Sequence, residues 1–159
     1  MFIDTIKLQD FFNIATQHTY AGAGGLVAPW KLGFTELEYA EGDWYYRDSY
    51  TGHVQSWGQE TVWYMKEPVW VQNYGGGLEE KAIKDTSLIV EVFSFLKTAL
   101  GAKEKAFQPR GPRRFHKGSF TYETEFAGAL NKFEGVEFIV YKHDVVFSHR
   151  YCGGLVLGR

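Results

Sequence analysis

A chain of 159 residues is long enough for one domain with a core of its own. Its formal net charge of −2 argues against a general nucleic-acid binder and against a partner for anionic membrane surfaces. The single cysteine, Cys152, excludes an internal disulfide and a cysteine-built zinc cluster.

The opening segment MFIDTIKLQD lacks the basic start and long apolar run of a signal peptide. No apolar run reaches the roughly eighteen residues of a transmembrane helix, so the expectation is a cytoplasmic protein with no membrane partner. Aromatic residues make up 18% of the chain, and such rings suit half-buried strands and the walls of ligand pockets alike.

Leu8, Phe11, Phe12 and Ala15 recur at helical spacing. They predict an amphipathic helix over residues 5–19, capped by Asp4 or Thr5 and ended by Gly22, Gly24 and Gly25. Period-two patterning follows: Trp44, Tyr46, Asp48 and Tyr50 alternate with Tyr45, Arg47, Ser49 and Thr51. Strands over 59–65 and 68–74, with Lys66-Glu67 between them, complete a three-stranded meander. A second helix over 87–100 directs Leu88, Val92, Phe95 and Leu96 to the core, with Gly101 as its C-cap.

The strand pattern then returns. Gly42, Tyr46 and Gly52 match Gly118, Tyr122 and Gly128 in one register. In a register one residue longer, Gly58, Glu60, Tyr64, Val69, Tyr74, Gly76, Gly77 and Leu78 match Gly135, Glu137, Tyr141, Val146, Tyr151, Gly153, Gly154 and Leu155. This predicts an αβββ unit written twice, over about 5–80 and 86–157, within a single domain spanning 1–159. The expected class is α+β: an antiparallel curved sheet or barrel with pseudo-two-fold symmetry and two helices outside.

Several stretches resemble an uncharacterised bacterial family, a domain of unknown function found alone or behind a Cro/repressor-type helix-turn-helix. They are Tyr46-Arg47-Asp48-Ser49-Tyr50-x-Gly52, Gly58-Gln59-Glu60, Pro68-x-Trp70 and Asn73-Tyr74-x-Gly76, then Arg110-Gly111-Pro112, Phe133-x-Gly135-x-Glu137 and Gly153-Gly154. The resemblance spans about 10–156 and implies that some relatives sense a small molecule. The first amphipathic segment is too short for a helix-turn-helix, which argues against direct binding of nucleic acid.

Glu60 shares a strand face with Val62 and Tyr64, and Glu137 with Ile139 and Tyr141. A carboxylate there must be paired, hydrogen-bonded or protonated. Three readings stand: each Glu accepts structural bonds where its strand bends at Gly58 or Gly135, it lies at the base of an aromatic cavity, or it marks a solvent-exposed strand start. Asp48 lies on the face of Trp44, Tyr46 and Tyr50, while its counterpart is the neutral Thr124. The loop KEKAFQPRGPRRFHK is the only basic cluster, and Arg110 between two prolines is its strongest candidate for gripping a phosphate or carboxylate.

The five histidines show no metal-ligand spacing, no nucleophile motif is present, and Gly75-Gly76-Gly77 lacks the Lys and Ser/Thr of a phosphate loop. No cofactor or metal is implied, and Cys152 reads as a small buried residue. The leading expectation is an effector-sensing-like domain whose pocket is walled by Tyr46, Tyr50, Tyr64, Trp70, Phe126 and Tyr141. Glu60, Asp48 and Glu137 would supply charge for a small hydrophobic, preferably cationic ligand. The alternatives are a hydrolase or isomerase with Glu60 or Asp48 as general base, and a homodimeric interaction module.

Overall fold

The computed structural model describes residues 3–21 and 25–158. Helix α1, Thr5–Thr16, begins where the Asp4 carboxylate accepts from the backbone N–H groups of Ile6 and Lys7. Those donors have no partner within the helix, and this is why an acidic cap starts it here. Leu8, Phe11, Phe12 and Ala15 form its buried face. The helix runs on into a π-helical turn, Gln17–Ala21, where the wider turn changes which side chains face the sheet. Of the glycines expected to end this segment, Gly22 and Gly24 lie outside the described residues.

A short helix absent from the sequence reading, α2 (Glu80–Ile83), precedes α3 (Thr86–Gly101). Asp85 caps α3 by accepting from Leu88 N at 3.1 Å, and Val92, Phe95, Leu96, Ala99 and Leu100 are buried. Gly101 remains helical and Ala102 is the cap, one residue beyond expectation.

The strands are β1 (Leu26–Val27), β2 (Thr35–Glu41), β3 (Trp44–Gly52), β4 (Gln55–Tyr64) and β5 (Glu67–Leu78), followed by β6 (Arg114–Lys117), β7 (Phe120–Ala129), β8 (Lys132–Tyr141) and β9 (Asp144–Leu155). They form one antiparallel nine-stranded sheet in the order β1-β2-β3-β4-β5-β9-β8-β7-β6. The expected barrel is therefore corrected to an open sheet. Closure would require the outer strands β1 and β6 to pair with each other, and these are only two and four residues long.

Each meander also carries an extra outer strand, β2 before β3 and β6 before β7. The turn expected at Lys66-Glu67 falls at Met65-Lys66, with φ of 52° and 70°. Lys142 and His143 repeat it at φ 47° and 77°. Left-handed residues in pairs are what a two-residue hairpin needs for its twist to match that of the strands.

Helices α1 and α3 lie against one face, which divides into two apolar clusters. Leu8, Phe11, Phe12, Tyr46, Val62, Trp70 and Phe133 belong to the first. Val92, Phe95, Leu96, Phe120, Tyr122, Ile139 and Phe147 belong to the second. On the opposite face Arg47 is buried against Glu36, with Trp30 stacked 3.7 Å over its guanidinium. Among the described residues no helix is long and apolar enough to cross a membrane.

Candidate functional site

Two rows of polar side chains cross the sheet between the apolar clusters. Asp48, Glu60 and Gln72 are direct cross-strand partners on β3, β4 and β5. Thr124, Glu137 and His149 are the corresponding partners on β7, β8 and β9. All six are buried. Tyr74 and Tyr151 pair with each other between the rows. Tyr74 donates to Asp48 Oδ1 at 2.9 Å, and Tyr151 meets the Thr124 hydroxyl at 2.6 Å. Gly58 and Gly135 make this possible, because a Cβ at either would run into the tyrosine ring lying over it. They serve as clearance beneath the rings.

The segment between α3 and β6 runs over both rows. Pro109 and Pro112 cannot donate a backbone hydrogen bond and hold the chain out of helix. Gly111 N donates to Tyr122 Oη at 2.9 Å, and Gln72 Nε2 donates to Pro109 O at 3.2 Å. Arg110 is thereby held between the rows, with Nε 3.0 Å from Glu137 Oε1 and Nη1 3.0 Å from Glu60 Oε1. Its guanidinium also lies 4.6 Å from the Tyr74 ring centroid. Glu137 Oε2 accepts from Tyr122 Oη at 2.6 Å.

This arrangement separates the three acids. Burial works to raise the Glu137 pKa, but Arg110, His149 and Tyr122 overcome it and hold the carboxyl at about 2. Burial, then repulsion from Glu60, raises Asp48 to about 7 despite the bonds from Tyr74 and Tyr20. Glu60 is also raised by burial, against the pull of Arg110 and Lys103. Burial lowers Lys103 to about 7. Burial and the nearby acids raise Tyr20 and Tyr74 well above their ordinary range, so both hydroxyls stay protonated.

Tyr20, on the π-helical turn, ties these groups together. Its hydroxyl lies 2.7 Å from Glu60 Oε1 and 2.9 Å from Asp48 Oδ2, and it accepts from Arg110 Nη1 at 3.2 Å. One hydroxyl proton cannot serve two carboxylates. The proton that Asp48 retains up to about pH 7 completes the set: Asp48 donates to Tyr20, and Tyr20 donates to Glu60.

A cleft of about 300 Å³ opens onto this network. Tyr20, Tyr74, Arg110 and His149 line it, with Leu37, Tyr50, Phe93, Leu96 and Leu100 as apolar walls and His53 and Lys97 also bordering it. The His149 ring is only 4% exposed. Its Nδ1 lies 3.1 Å from Glu137 Oε1, while its Nε2 is buried with no partner among the described residues. Glu137 stays ionised and can only accept, so Nδ1 carries the proton; in the neutral ring Nε2 is then a bare acceptor. Three larger hollows, of about 660, 890 and 800 Å³, lie around Trp30, Tyr45 and Trp63, around Trp57, Phe126 and Arg150, and around Glu79, Lys81 and Lys84. None is lined by a residue carrying one of the buried unpartnered polar atoms found among the described residues, so the smaller cleft is the candidate. Among the described residues no group of three or more His, Cys, Asp and Glu is arranged to hold a metal.

A family model described as a domain of unknown function, DUF5680, matches residues 48–156, more than half of the chain. The chain belongs to this family. No curated protein and no solved structure matches it. The DUF5680 match takes in both polar rows and Arg110, while Tyr20 on the π-helical turn precedes it.

Within this DUF5680 chain the candidate residues fall into two groups. Asp48, Glu60, Glu137 and Arg110 come together in one network, and Tyr50 lines the cleft beside it. The three acids stand behind Tyr20, Tyr74 and Arg110 and do not line the cleft. The remaining aromatics lie elsewhere. Tyr46 and Trp70 are fully buried with α1, and Tyr64 packs on Trp44 at 4.5 Å. Phe126 meets Phe107, and Tyr141 stacks on Phe120 at 4.6 Å. Cys152, expected to be buried, is exposed. Sequence reasoning missed Tyr20, Gln72, Tyr74 and His149 as members of the network. The register that matches Glu60 with Glu137 also matches Gln72 with His149, and that signal pointed to the same layer.

Proposed function

We propose that this domain binds a small molecule in the cleft above the two polar rows and serves as an effector-sensing-like module. The observation that carries the reading is His149 Nε2, a buried acceptor without a partner beside a cleft with apolar walls. Buried polar groups are nearly always satisfied, and an orphan on a residue that lines a cavity is what a ligand or ordered water would complete. A cleft of about 300 Å³ lies at the lower end of the volume range that small-molecule sites occupy. Ligand-observed NMR with a fragment library tests it. Fragments should bind the wild type and be lost in Leu37→Trp, which fills the cleft; fragments indifferent to that change would count against it.

The pairing pattern supports the finer fold proposal, a duplicated unit about a pseudo-two-fold axis. Trp70 pairs with Leu155 and Leu78 with Phe147, and in the sequence register Trp70 matches Phe147 and Leu78 matches Leu155. Each pair is thus the other's symmetry mate, with the axis between Tyr74 and Tyr151. On this reading the unit is four-stranded.

Acid–base catalysis is the second reading, favoured by Asp48 holding a proton to about pH 7 at one end of a chain through Tyr20. Recovery of a bound compound chemically changed, with turnover falling as pH moves away from 7, distinguishes it from binding alone.

A further inference from the structure

The cleft offers a specific pair of groups to its occupant. Glu137 Oε1 accepts from both Arg110 Nε and His149 Nδ1, which fixes the guanidinium and the imidazole side by side. Arg110 spends Nε on Glu137 and Nη1 on Glu60 and Tyr20, so Nη2 is its remaining donor among the described residues. His149, on the same cleft, carries the acceptor Nε2, buried and without a partner among the described residues. The hydroxyls of Tyr20 and Tyr74, the tyrosines beside Arg110, add no further donor, because they are directed at Glu60 and Asp48; Tyr50 and Ser56 also line the cleft.

The charges argue against an ionic head. An anion on Arg110 would meet a guanidinium already paired with two carboxylates, each 3.0 Å away, and those carboxylates would repel it from just behind. A cation would meet that guanidinium first, since the acids stand behind it. Lys97 and His53 border the cleft but are exposed, where water screens them. What complements a donor beside an acceptor, without charge, is a planar group carrying C=O next to N–H.

We infer that the cleft takes a neutral amide or lactam head on an apolar ring, with the carbonyl on Arg110 Nη2 and the N–H on His149 Nε2. The ring would rest among Leu37, Phe93, Leu96 and Leu100. This inference rests on the cleft being a small-molecule site, and the test separates the two.

Four bicyclic probes of similar size are titrated into the wild-type protein by calorimetry at pH 7. Carbostyril is the neutral lactam, and coumarin replaces its N–H by a ring oxygen without added bulk. Quinaldate is the anion and N-methylquinolinium the cation. Carbostyril should bind, and coumarin should be weaker by about tenfold or more, because losing the N–H leaves His149 Nε2 unsatisfied. Both ions should also be weaker than carbostyril. Coumarin binding as tightly as carbostyril, an ion binding more tightly, or no carbostyril binding at all would each overturn the inference. In any of those cases, fragments that Leu37→Trp displaces would leave the cleft standing as a binding site.

Discussion

Tyr74 and Tyr151 are opposite one another on β5 and β9, yet their hydroxyls serve unlike partners: an acid, Asp48, and a neutral hydroxyl, Thr124. The two halves therefore present the same ring over the same glycine clearance, and only one holds an ionisable group beneath it. The difference puts an acid that titrates near pH 7 beneath the tyrosine of the first half alone.

Replacing Asp48 by Asn should stabilise the protein, increasingly so as pH rises. The Asp48 pKa is raised from 3.8 to about 7 on folding, so the folded form holds the proton more tightly than the unfolded chain. Its contribution is complete below the unfolded value and lost as pH climbs through about 7. Asn keeps the donor to Tyr20 and the acceptor for Tyr74 without ionising. Melting temperatures at pH 4 and pH 8 check this: near equality at the lower pH and a higher value for Asp48→Asn at the upper. A difference independent of pH would refute it.

Glu137→Gln should act in the opposite sense. The folded pKa of about 2 lies below the ordinary 4.5, so this carboxylate stabilises the fold above the unfolded value and loses its contribution as pH falls toward 2. The amide leaves Arg110 paired only with Glu60, and breaking one partner of a buried ion pair costs about 3–5 kcal/mol. Urea denaturation should show that loss at pH 7 and a smaller one at pH 3.

Arg110→Lys conserves charge and should still fail. A single ammonium cannot span Glu60 and Glu137 as the two guanidinium nitrogens do at 3.0 Å each. The Glu137 carboxyl should rise from about 2 toward its ordinary range, followed by side-chain NMR titration. An unmoved Glu137 would assign its low pKa to Tyr122 and His149.

Gly58→Ala should cost about 1–3 kcal/mol, the usual range for overpacking. Its Cβ would come within 2.5 Å of Tyr74 Oη and 2.8 Å of Tyr50 Cβ, pushing Tyr74 off Asp48. Chemical denaturation measures the cost, and shifted Tyr74 ring resonances would show where it arises.

The long elements were legible because their burial has a period. The apolar face of α1 and α3 and the alternation in β3 follow directly from which side chains meet the core. Arg110 was legible from its two flanking prolines, and Glu60 and Glu137 from their matched positions. Strand β2 was not, because its Glu36 lies in the interior through Arg47 and Ser49, partners no local pattern reveals. Tyr20 was hidden for another reason: a π-helical turn, which helical periodicity does not anticipate, carries it over the sheet. His149 looked like an isolated histidine until strand pairing set it beside Glu137.

The polar rows also bear on how the molecule comes apart. The two apolar clusters stand on either side of a charged seam, and Arg110 links the seam's two halves. Cooperativity between the α1 side and the α3 side thus rests partly on ionic bonds, which titrate, where a continuous oily core would not. Acid or a broken Arg110 bridge would let one lobe open before the other, visible as amide exchange that loses its single protection plateau.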